Sequence, residues 1–162
     1  MSDPVFEYRL ALLQRLESQP DDLATLIDQL PEPEWRTRRA ADESSLHQLA
    51  VHIRAADGLA FVARFKRLLD EAHPRLEPFP SHRWSVEQED YQPETPLAAI
   101  LADFRRARVE AVTLMRTLTV EQWSRTGFHP PSGPRTALWW AERMYTHARD
   151  HLAEMRRVIS EQ

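Results

Sequence analysis

Proline limits this chain more than any other feature. Twelve of its 162 residues are proline, yet residues 44–73, 97–129 and 135–162 contain none. Proline inside a helix removes a hydrogen bond and clashes with the preceding turn, at about 3 kcal/mol. The three proline-free windows are therefore where long helices can run. Alanine, leucine, arginine and glutamate dominate them, β-branched residues are scarce, and no useful stretch alternates with period two. The sequence predicts helices and no sheet.

The first helix is expected over 5–30, with Leu10, Leu13, Leu16, Leu23, Leu26 and Leu30 as its apolar side; Pro20, followed by Asp21 and Asp22, either kinks it or divides it. The second is expected over 45–71. Ser45 and Gln48 form a capping box, and Leu46, Leu49, Ile53, Ala56, Leu59, Ala60 and Ala63 make the inward stripe. Gly58 in mid-helix predicts another backbone packed closely against it. The third helix, 96–118, starts from Thr95 as cap with Pro96 in first position. A short turn at 120–124 follows the Thr119–Gln122 box, and the fourth helix covers 135–160.

The link at 72–95 carries prolines at 74, 78, 80 and 93 and is long for a simple up-down bundle. Fully extended it reaches about 80 Å, against about 40 Å for the second helix, so it can run the length of a bundle and leave helices two and three parallel. The expected fold is all-α: one domain over 1–162, a four-helix bundle with a long crossover between helices two and three, up-down-down-up.

Charge and composition exclude several roles. A net charge of -4 argues against nucleic acid as partner. No apolar run approaches the roughly 18 residues of a membrane span. The opening MSDPVFEYRL lacks the basic-then-apolar order of an export signal, so a cytoplasmic protein is expected. With no cysteine, disulfides, thiolate ligands and a cysteine nucleophile are all absent.

The seven histidines carry the chemistry: 47, 52, 73, 82, 129, 147 and 151. His147 and His151, four apart, share one helical face and can direct two imidazoles at one point, a half-site for zinc or a similar ion. Trp140, Met144, Met155 and Val158 lie on the same side. The adjoining stripe of Leu138, Ala141, Tyr145, Ala148, Leu152 and Ile159 could instead face the core and leave the pair solvated. Both arrangements are open at this level. His52, among Leu49, Ala56 and Leu59, is the candidate third ligand. It lies about 10 Å from the start of its helix, and His147 and His151 about 20 and 13 Å from the end of theirs, so the levels agree if the two helices are antiparallel. His47 is expected to be exposed, and His73 and His82 solvated in the link. His129, in the loop before the last helix, faces either solvent or a pocket.

At these residues the chain resembles the DinB/YfiT-like family of metal-binding four-helix bundles. The stretch Ser45-Leu46-His47-Gln48-Leu49-Ala50-Val51-His52-Ile53-Arg54-Ala55-Ala56-Asp57 is similar to that family's second-helix motif, which carries its first ligand. The stretch His147-Ala148-Arg149-Asp150-His151-Leu152-Ala153-Glu154 is similar to its last-helix motif, and Gly127 to Gly133 resembles the preceding loop. Ser44 stands where the family often has tryptophan, and Glu154 where glutamine is frequent. The resemblance implies one divalent ion, zinc or nickel, on His52, His147 and His151 with open positions. It also implies helices two and four antiparallel. Characterised relatives include transferases that use a low-molecular-weight thiol, which here would attack an electrophilic small molecule. Trp140, Met144, His129 and Tyr145 would lie near the mouth, with Arg54 or Arg149 paired to a carboxylate on the thiol. A hydrolase using water at the ion is the alternative, and a non-catalytic helical binding module another; a homodimer is compatible with the architecture.

Overall fold

The first helix, α1, runs unbroken over Pro4–Ile27 with Pro20 inside it. Proline at position 20 leaves the Leu16 carbonyl without its usual partner four residues on. That carbonyl instead accepts from the Arg108 guanidinium at 3.2 Å, and the helix neither divides nor stops. In this computed structural model the described residues are 3–78 and 93–161. His82 and the middle of the expected crossover fall outside them.

A short helix, α2 (Glu32–Trp35), buries Trp35 completely. The second long helix follows in three consecutive parts: α3 (Leu46–Ala55), a π-helical segment (Ala56–Val62) and α4 (Ala63–Asp70). Its start is the capping box of Ser45 and Gln48. After Pro96, which is the N-cap in place of the expected Thr95, comes α5 (Leu97–Arg116); then α6 (Val120–Trp123), capped by Thr119, and α7 (Ala137–Ser160), capped by Thr136.

Side-chain pairs give the helix directions. Asp21 meets Arg105 and Glu17 meets Arg116, so α1 and α5 are antiparallel. Tyr8 meets Glu142 and Asp22 meets Arg156, so α1 and α7 are parallel. Arg54 meets Asp103 and Lys66 meets Glu110, so the second long helix runs parallel to α5. His52 meets His151 and Phe61 meets Trp140, so it runs antiparallel to α7. The order is up-down-down-up, as the length of the link implies.

The apolar core forms two clusters. One gathers Leu12, Leu16, Phe65, Leu68, Met115 and Trp140; the other Leu23, Leu49, Ile53, Ile100, Phe104 and Leu152. Between them lies a buried polar layer of Gln19, Asp57 and Arg108. Arg108 contacts Asp57 and Gln19 side chains and donates to the Leu16 and Met144 carbonyls, tying α1, the π segment, α5 and α7 together.

Three expectations need correction. A two-stranded antiparallel hairpin exists: β1 (Thr126–His129) pairs with β2 (Gly133–Thr136), turning through Gly133 at φ 75°. Phe128 also exchanges backbone hydrogen bonds with Pro74 and Leu76 at the start of the link. Four-residue strands containing glycine and proline are too short for alternation to reveal. Second, the inward stripe of the second helix breaks at the π segment. Leu59 is 66% exposed and Ala63 is exposed, while Phe61, Arg64, Phe65 and Leu68 are buried. A π turn takes one residue more than an α turn, so every later side chain is displaced around the axis. Third, among the described residues nothing packs on Gly58: a Cβ there would have no neighbour within 4 Å. No helix among the described residues is long and apolar enough to cross a membrane.

Candidate metal centre

His52 sits in the last turns of α3 before the π segment, and His147 and His151 occupy one face of the middle of α7. The antiparallel crossing of these helices brings the rings together. Each pair of ring centroids is 4.8 Å apart, and all three pairs meet edge to face. One ligand nitrogen from each lies within 4.8 Å of the others, and His52 Nε2 is 2.9 Å from His147 Nε2. Nitrogens bound at about 2.1 Å to one ion lie about 3 Å apart, so this spacing suits convergence on a single ion. Between the two alternatives open at sequence level, the pair at 147 and 151 faces inward, together with Trp140 and Met144.

The protonation state also suits ligation. Burial pushes the His147 imidazole down to about 2, and the neighbouring His52 and His151 rings act in the same direction. A neutral ring keeps the lone pair a metal requires. His151 Nδ1 lies 3.2 Å from a Glu154 carboxylate oxygen; donation to it places the proton on Nδ1 and leaves Nε2 as the electron donor. His147 Nδ1 is buried and meets no acceptor among the described residues.

The triad forms part of the wall of a cavity of about 450 Å³. Phe61 and Trp140 supply apolar wall, their rings 6.4 Å apart, and Phe61 stacks against His147 at 5.8 Å. The hairpin brings in His129, whose ring meets Trp140 at 5.2 Å and whose Nδ1 lies 3.1 Å from Ser132 Oγ. Of its two expected positions, His129 takes the pocket. Burial first, then Arg64 and Arg135, push its imidazole down against a smaller opposing pull from Glu77, which favours the neutral ring.

Other placements differ from expectation. His47 is fully buried, not exposed: its Nε2 lies 2.8 Å from the Thr95 carbonyl, at the entry to α5. Tyr145, two residues before His147, is turned about 200° from it and packs against the core away from the cavity. Arg54 is drawn to Asp103, and Arg149 to Asp150 and the Tyr145 ring, so neither lines the cavity. Among the described residues, the arginines that do are Arg64 and Arg143. Arg64 escapes the sequence pattern because the α-helical period carried across the π segment turns it the wrong way. His73 is exposed, as expected in the link.

Comparison with known proteins agrees with this geometry. A Bacillus cereus (strain B4264) protein, provisionally named a metal-dependent hydrolase, is 26% identical over 144 residues, covering 88% of this chain and 80% of its own. A Bacillus pumilus protein of the same name is 25% identical over 150 residues, covering 92% and 83%. The solved structure of Bacillus subtilis YfiT, described as a four-helix bundle of unusual topology, superposes with a TM-score of 0.76 at 23% identity, over 99% of this chain and 90% of that one. The profile of the DinB superfamily matches residues 15–155. That span includes part or all of each of the four long helices and all three clustered histidines, and the chain belongs to the DinB superfamily.

Proposed function

We propose that this protein is a metal-dependent enzyme that transfers a low-molecular-weight thiol to an electrophilic small molecule, at a divalent ion held by His52, His147 and His151. The observation that carries the reading is the convergence of three imidazoles on the wall of a cavity large enough for a small organic molecule. Three neutral nitrogen donors suit zinc or nickel better than magnesium or calcium. When bound, such an ion supplies Lewis acidity, lowering the pKa of a water or thiol at its open positions.

The chain's own residues do the rest. Phe61, Trp139 and Trp140 keep the electrophile against apolar surface. His129, neutral and steadied by Ser132, is placed to exchange a proton with a molecule in the cavity. With no cysteine anywhere in the chain, a sulfur nucleophile has to enter as a cosubstrate. Hydrolysis is the second reading, and the provisional names of the Bacillus relatives favour it.

The test incubates metal-loaded protein with a panel of biological thiols and a chlorodinitrobenzene electrophile, beside His151→Ala. Metal-dependent thiol consumption by the unmodified protein, lost in the variant, is the expected result. Equal rates in both would remove the reading. Metal-dependent ester cleavage with no thiol present would move it to hydrolase.

A further inference from the structure

Arg64 is an unusual lining residue. It comes from α4, just beyond the π segment, and is only 8% exposed. Its guanidinium lies 4.5 Å over the Trp140 ring, and one Nη donates to the Glu77 carbonyl at 2.6 Å. Neither neighbour is an anion. Among the described residues no carboxylate pairs with Arg64, and none lines the cavity. Every other ionisable group of the described residues on that lining is a base: Arg143 and the four histidines His52, His129, His147 and His151.

A guanidinium so placed is costly. Burial alone pushes it down to about 10, still protonated at neutral pH. Buried cations are ordinarily paired, because the loss of hydration must be offset by a counter-charge. The other buried arginine among the described residues obeys that rule: Arg108 has Asp57. Arg64 differs in facing a cavity, where the counter-charge can arrive with a ligand. The planar fork of a guanidinium matches a carboxylate in particular, through two parallel hydrogen bonds.

We infer that Arg64 is the anchor of an anion subsite, and that the cavity takes an organic carboxylate whose apolar body lies along Phe61 and Trp140. Phe61 touches both Trp140 and His147, so a molecule held at Arg64 extends past it toward the histidine triad. The inference deepens the reading of the triad as a metal centre by naming the charge its small-molecule ligand carries, but the subsite itself is built by Arg64, Phe61 and Trp140 and needs no metal. Arg143, exposed at the cavity edge, adds positive potential that draws anions in.

Calorimetric titration of the protein as purified, with benzoate and with its neutral isostere benzamide, tests this, with metal content measured on the same samples. Benzoate binding at least about tenfold tighter than benzamide is expected, since hydrogen bonds to charged groups are worth more than neutral ones. Arg64→Gln should remove that preference with metal content unchanged, and Arg64→Lys should restore part of it. Equal binding of the two probes, or no benzoate binding, overturns the inference without recourse to a variant. Benzoate preference kept in Arg64→Gln but lost in His151→Ala also overturns it, by placing the carboxylate at the triad. Intact benzoate preference in protein that takes up no added zinc or nickel keeps the anion subsite and defeats the metal reading.

Discussion

At the scale of single side chains, an imidazole makes a firmer ligand when its second nitrogen is held. His151 has that support from Glu154, three residues on, through Nδ1. Glu154 stands where the resemblance drawn from the sequence has glutamine, so a full negative charge here stands behind the proposed ligand. Glu154→Ala should weaken zinc binding by about tenfold, at the low end of what such outer partners contribute, because the carboxylate is partly solvated and water can replace it. Competition with a chromophoric chelator measures the change; unaltered affinity would show that the carboxylate does nothing for the ligand. The spacing of His147, His151 and Glu154 was legible in the sequence, because a helix converts intervals of three and four into one face. His47 and His129 were not. The Thr95 carbonyl that buries one and the hairpin that aims the other lie outside any local pattern.

At the scale of elements, the π segment is the feature that sequence periodicity could not supply. Positions 46–56 follow the expected stripe; beyond them Ala60 is still buried but Leu59 and Ala63 are exposed, because one extra residue per turn shifts the phase. The shift carries Phe61 and Arg64 into the cavity and Leu59 out to solvent, so a helix that starts as core wall continues as binding wall. Gly58 lies within this segment with open space around its Cα and without a positive φ. No packing reason for glycine exists there. Gly58→Ala should therefore stabilise the protein by about 0.5–1 kcal/mol by narrowing the unfolded ensemble, raising the melting temperature by about 2–4 °C per kcal/mol. A lower melting temperature instead, with weakened metal binding, would mean that glycine sustains the π turn on which the site depends.

At the scale of the molecule, parallel second and third long helices demand a long connection, and the proline-rich link was the legible sign of it. What no pattern disclosed is that the bundle core is divided by a charged layer. Arg108 reads as one solvated arginine among many, yet it is 1% exposed and paired with Asp57, which is fully buried. It also occupies the carbonyl that Pro20 strands on α1. Arg108→Met should consequently cost about 3–5 kcal/mol, because it abandons a buried carboxylate rather than merely removing a contact. The pH dependence gives the loss a signature. Burial raises the Asp57 carboxyl above its ordinary value, and Arg108 is the group that opposes this. Without Arg108 the folded-state pKa exceeds the unfolded one further still. Protonated Asp57 is then tolerated at low pH, and stability is lost as pH rises from the ordinary carboxylate range through that elevated value. The deficit of Arg108→Met relative to the unmodified protein should thus be full at neutral pH and shrink toward pH 4, while Asp57→Asn in the same background should remove most of its pH dependence. Urea unfolding at several pH values decides the matter: a deficit under about 1 kcal/mol, flat with pH, would show that the layer carries no net charge burden and that Pro20 is accommodated without it.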